Sequence, residues 1–168
     1  MRDILVPISA GELLDKISIL RIKARRIAEP DKLLNVRREL ALLEATWQRS
    51  YGASATTAAA TTATAATTAA TTAADSAADS AADVAAPAPP LAAELAALEA
   101  VNAALWDIED RIRAHEAQRR FDAEFIELAR AVYLRNDERA AIKRRLNVLL
   151  GSPIIEEKSY QPYPSPRP

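Results

Sequence analysis

Four stretches of this chain place apolar residues at steps of three and four, and that period decides what the chain can fold into. The first holds Leu13, Ile17, Leu20, Ala24 and Ile27, and the second Leu33, Val36, Leu40, Leu43 and Trp47. The third holds Leu95, Leu98, Val101, Leu105, Ile108 and Ile112. The fourth holds Phe125, Leu128, Val132, Ile142, Leu146 and Leu149. Each set falls on one face of an α-helix, whereas a half-buried strand would alternate every second residue. An all-α antiparallel bundle of about four helices, built as two helical hairpins, is the expected fold.

The punctuation agrees with that period. Gly11, Gly52 and Gly151 sit at edges of periodic segments. Ser9-Ala10-Gly11-Glu12 has the spacing of a capping box, which predicts a helix start near Ala10. Pro30 ends one helix and suits the first position of the next, where a missing N–H costs nothing. A third helix is expected from about Leu91 to Gln118. Asp122 reads as the N-cap of the fourth, with Phe121 and Ile126 spaced as a hydrophobic staple, and Gly151 as its stop. Residues 3–8 read as a short extended piece, since Pro7 forbids a central strand.

Between the hairpins the composition changes. Residues 53–86 contain 18 Ala and 9 Thr but only three of the chain's charges. From Thr67 onward they run TTAA, TTAA, DSAA, DSAA, DVAA. A four-residue repeat drifts by roughly 40° per step around a helix, so its polar positions hold no single face. The segment is expected to be a disordered or loosely helical low-complexity insertion. The divisions that follow are 1–52 for the N-terminal piece and first hairpin, 53–90 for the insertion, 91–151 for the second hairpin, and 152–168 for an extended tail. In that tail the prolines at 162, 164, 166 and 168 contain no P-x-x-P.

Composition excludes several chemistries. With no Cys there is no disulfide, thiolate metal site or Cys nucleophile. No apolar run approaches membrane-spanning length and no signal-peptide core follows Arg2 and Asp3, so a cytoplasmic protein without membrane contact is expected. The lone histidine, His115, lacks the E-x-x-H spacing of a di-iron bundle, because residue 112 is Ile. Asp107, Glu109 and Asp110 spread over different helix faces, and no glycine-rich phosphate loop is present, so neither a metal nor another cofactor is expected. Arg21, Lys23, Arg25 and Arg26 form one basic cluster and Arg139, Lys143, Arg144 and Arg145 another. Interleaved acids hold the net charge at −1, no recognition motif frames either cluster, and no nucleic-acid partner is expected.

Five motifs follow one another along the chain. The first is Val6-Pro7-Ile8-Ser9 with Gly11-Glu12-Leu13-Leu14-Asp15-Lys16, and the second Asn35-Val36-Arg37-Arg38-Glu39-Leu40. The third runs from Val101 to Asp110 through Leu105-Trp106-Asp107-Ile108. The others are Asn136-Asp137-Glu138-Arg139 with Ile142-Lys143, and Glu156-Glu157-Lys158-Ser159-Tyr160. In this order they resemble an uncharacterised bacterial and viral family of small helical domains; the resemblance spans 3–51 and 91–160, and the chain departs from it by the Ala/Thr insertion and the Pro-rich end. It implies a small helical domain and carries no activity, so it assigns no catalytic residue.

Two functional readings compete. Ile19 and Ile22 lie opposite the main stripe of the first helix, and Leu42 is similarly placed on the second. A helix apolar on two faces is either central to its own bundle or buried against a partner. The leading expectation is therefore a non-enzymatic interaction or accessory module that self-associates through Ile19, Ile22 and Leu42, as a homo-oligomer or with a protein partner. The alternative is a polar pocket for an anionic small molecule. Arg135, Arg139 and Lys143 would hold the anion, beside Asn102, Trp106 and Glu109 of the third helix and Asp15 and Lys16 of the first. Arg135 and Arg139 fall on the seam between Val132 and Ile142, where a guanidinium is costly unless a carboxylate meets it.

Overall fold

The computed structural model describes residues 4–68 and 91–159, and side chains are described in 4–51 and 91–159. Four helices form the bundle: α1 (Ala10–Arg26), α2 (Pro30–Thr68), α3 (Leu91–Ala117) and α4 (Ala123–Leu149). Residues 69–90, the side chains of 52–68 and the proline tail from 160 onward lie outside the description, so the expectations for them are not addressed by it.

The ends of the helices follow from their local chemistry. The Ser9 hydroxyl accepts from the Glu12 N–H at 3.2 Å, capping α1. The Glu12 carboxylate turns to Lys143 on α4 instead, so the box serves a tertiary contact. Pro30 is the first residue of α2. Asp122 caps α4 by accepting from the Phe125 N–H at 3.1 Å. The expected staple is replaced: Phe121 meets Phe125 edge-on, while Phe121 and Ile126 both remain exposed. At the far end of α4, Gly151 is left-handed with φ of 59°. Its N–H and that of Ser152 bond back to the carbonyls of Val148 and Asn147, closing a Schellman turn. Arg119 holds the same left-handed position after α3, with Arg119 and Arg120 bonding back to Glu116 and His115.

One boundary differs from expectation. α2 passes Gly52 without a break and runs to Thr68, so the first part of the Ala/Thr segment extends that helix. Alanine's high helix propensity favours that extension. α4 is continuous through Asn136 and Asp137, and the Asn136 amide N–H donates to the Val132 carbonyl one turn back.

α1 is the central element: among the described residues its backbone packs against α2, α3 and α4, while the backbone of α2 packs against α1 alone. Leu14, Leu98, Val101, Ile142 and Leu146 make the core, with Trp47 and Leu95 packed on it. Leu98 and Leu146 are fully buried. Ile22, expected on an outward face, is 2% exposed and belongs to the bundle interior. The second apolar face of α1 is thus explained by its central position, and Ile22 is not available as an interface residue. Leu42 is exposed.

α1 and α4 meet most closely at Gly11. A Cβ there would lie 2.6 Å from the Lys143 carbonyl oxygen and 2.9 Å from Asn147 Oδ1, so only glycine fits. The approach lets the Gly11 N–H donate to Asn147 Oδ1 at 2.6 Å and the Ala10 N–H donate to Ser152 Oγ at 3.2 Å. Two of the orphan donors that open any helix are satisfied from another helix and its cap.

Candidate functional site

A cleft of about 490 Å³ opens between α1, α3 and α4. From α3 it takes Asn102, Trp106, Glu109 and Arg113, the polar strip beside that helix's apolar stripe, with Leu105 and Asp110. α1 contributes Ile19 and Lys23, one turn apart, and α4 contributes Asn136 and Arg139. α1 and α3 turn mainly their off-stripe faces to the cleft, and α4 adds Arg139 from the polar gap in its own stripe between Val132 and Ile142.

The charges in this cleft are only partly compensated. Glu109 pairs with Arg113 at 3.2 Å, one turn along the same helix. Among the described residues, no carboxylate lies within salt-bridge distance of Arg139 or Lys23. Trp106 carries the Arg26 guanidinium 5.8 Å from its ring centroid, and Arg26 is itself ion-paired with Asp107. The hydrogen bond between them raises the Arg26 pKa and lowers that of Asp107. One side of the indole is thereby held in place at the edge of the cleft.

Asn102 joins the cleft to a buried polar trio. Its Nδ2 donates to Asp15 Oδ1 at 2.8 Å and lies 3.3 Å from Ser18 Oγ. A carboxylate offers only acceptors, so the amide's orientation is set by chemistry: Nδ2 must face Asp15. Its Oδ1 is buried and has no hydrogen-bond partner among the described residues.

The eight candidate ligand residues therefore divide. Asn102, Trp106, Glu109 and Arg139 line the cleft. Asp15 is buried behind it as the partner of Asn102, and Lys16 is exposed. Arg135 is half exposed and pairs with Glu138 at 2.6 Å, not with Glu109 or Glu116. Lys143 is closed off between Glu12 at 2.6 Å and Glu156 at 2.8 Å. Burial works to lower its pKa, but hydrogen bonds to Glu12 and Glu156 outweigh that and hold it above the usual lysine value. Glu156 is held below the usual carboxylate range, first by the Lys143 hydrogen bond and further by the nearby charges of Lys143, Lys158 and Arg139.

Sequence reasoning missed Lys23 and Asp110 as cleft residues, and it assigned Ile19 to an outer interface. The signal for the first was the four-residue step from Ile19 to Lys23 on the off-stripe face of α1. A second cleft, of about 650 Å³, lies between α1, α2 and α3 over Leu14, Ile17, Trp47 and Leu95. Its bordering charges are closed pairs, Arg21 with Glu44 and Arg25 with Glu99, each at 2.6 Å.

No helix among the described residues is long and apolar enough to cross a membrane. No protein-family profile, curated protein or solved structure matches this chain.

Proposed function

We propose that this helical bundle is a binding protein for a small anionic molecule, seated in the cleft between α1, α3 and α4. The observation that carries the reading is the pair Arg139 and Lys23, two cations lining one cleft without a carboxylate at salt-bridge distance among the described residues. A guanidinium presents a planar fork that matches a carboxylate or phosphate, and Lys23 adds a point charge from the opposite helix. Trp106 and Leu105 supply apolar wall, and Asn136 a further amide. The self-association reading loses Ile22, which is interior, while Ile19 lines the cleft and Leu42 is exposed.

The test is thermal unfolding with phosphate, citrate, L-malate or L-glutamate added. A ligand that binds only the folded chain stabilises it by about 2.7 kcal/mol at a hundred times its Kd. At least one of these anions is expected to raise the Tm of the parent chain and not that of Arg139→Ala. If none raises the parent Tm, or if both proteins respond equally, the cleft is not an anion site.

A further inference from the structure

Exposed apolar surface is not spread evenly over the described residues. Most of the large apolar residues that meet solvent fall in two short stretches, 4–8 and 148–155. Ile4 and Leu5 are 89% and 93% exposed, and Val6, Ile8, Ile154 and Ile155 are exposed with them. Both stretches belong to one end of the bundle. The Ala10 N–H donates to Ser152 Oγ at 3.2 Å, and that hydroxyl donates to the Ile154 carbonyl at 2.8 Å. The arm before α1 and the segment after α4 thus leave from one junction. Residues 4–8 carry no charge and belong to no helix, and no backbone–backbone hydrogen bond among the described residues ties them to the bundle. The six residues leave on the order of 650 Å² open, more than the roughly 300–600 Å² of the largest patch on a typical monomer and near the about 800 Å² that each partner gives a standard interface.

The charges beside this patch suit a second copy. Lys143 is held between Glu12 and Glu156, and Arg144 pairs with Glu157 at 2.6 Å. A two-fold interface sets a patch against itself, so a border of one unpaired sign would repel its own image, and closed pairs do not. With three acids to two bases, these residues also lack the positive excess that draws an apolar segment to an anionic lipid surface. We infer that this end of the bundle is the contact face of a homodimer. Two copies related by a two-fold axis lay their arms, Ile4 to Ile8, against each other and against Ile154 and Ile155. The pair buries on the order of 1,300 Å² in all, within the range of specific interfaces. This face shares no residue with the lining of the cleft between α1, α3 and α4, so the dimer and the anion site stand or fall separately.

The experiment is sedimentation velocity on the full chain. From about 1 to 100 μM the mass is expected to rise to twice that of the monomer, since interfaces of this size bind with micromolar Kd or below. Leu5→Glu combined with Ile155→Glu is expected to raise the dimer Kd about a hundredfold or more, because it puts charges into the apolar centre from both copies. Leu42→Glu, an exposed position on α2, is expected to leave the Kd unchanged. Should the double variant fail to fold by circular dichroism, Leu5→Glu decides alone, since that residue is almost wholly exposed and lies outside every helix. A parent chain that stays monomeric throughout overturns the inference, and its co-sedimentation with phosphatidylcholine–phosphatidylserine vesicles would give the face to a lipid surface instead. A dimer that Leu42→Glu weakens and Leu5→Glu does not overturns it equally.

Discussion

Lys143 and Arg139 are one turn apart on α4 and carry the same charge, yet their surroundings are opposite. Lys143 is 6% exposed and gripped by two carboxylates, Glu12 from α1 and Glu156 from the segment after α4. Arg139 opens on the cleft and has no carboxylate at salt-bridge distance among the described residues. A desolvated cation is tolerable only when paired, so the first arrangement is what a structural charge requires. The second leaves the guanidinium with no ion pair among the described residues, its charge felt by Glu156 from a distance. Closing one site and leaving its neighbour open separates the residues that hold the bundle together from those available to a ligand.

That contrast can be broken at its structural side first. Gly11→Ala forces a Cβ against the backbone of α4, where nothing can yield cheaply, and is expected to cost about 3 kcal/mol in denaturant unfolding. Lys143→Ala leaves Glu12 and Glu156 without their shared partner. Because both carboxylates retain solvent contact, the expected loss is about 2 kcal/mol rather than the full value for a buried pair.

Glu156→Gln tests the same junction through pH. The Glu156 pKa is lower folded than unfolded, so unfolding takes up a proton as acid is added. Its contribution is present above the unfolded carboxylate value and is lost as pH falls through the lowered folded one. The variant should lose below about 1 kcal/mol at neutral pH and show a shallower acid limb in unfolding curves. Lys143 acts at the other extreme, its contribution fading only as pH rises through its raised pKa. The smallest effect on stability belongs to the open side: Arg139→Ala should shift unfolding by no more than about 0.5 kcal/mol. A loss near that of Lys143→Ala, measured in the same denaturant series, would erase the distinction between the two cations.

The helices were legible because their signals are local. Ser9, Pro30, Asp122 and Gly151 each act within one turn, and the three-and-four steps of Leu95 to Ile112 need no knowledge of the partner helix. That Asn102, Trp106 and Glu109, three of the eight candidate ligand residues, would line one cleft was legible for the same reason, since they share one face of α3. Lys143 was misread because its partners lie 131 residues before it and 13 after, distances over which periodicity says nothing. Lys23 was hidden in a run of basic residues whose neighbours Arg25 and Arg26 are bound to Glu99 and Asp107. The need for glycine at position 11 arises wholly from the approach of α4, so no pattern within α1 could reveal it.

Among the described residues the backbone of α2 packs on α1 alone, and Trp47 is its reach into the core. The cleft and the core cluster itself are assembled from α1, α3 and α4. Doubling the length of a flexible connection costs only about 0.6 kcal/mol of closure entropy. Repeats of the TTAA kind can therefore be gained or lost by slippage in the coding sequence at little thermodynamic penalty. Changes in length between α2 and α3 therefore fall outside the three helices that line the cleft.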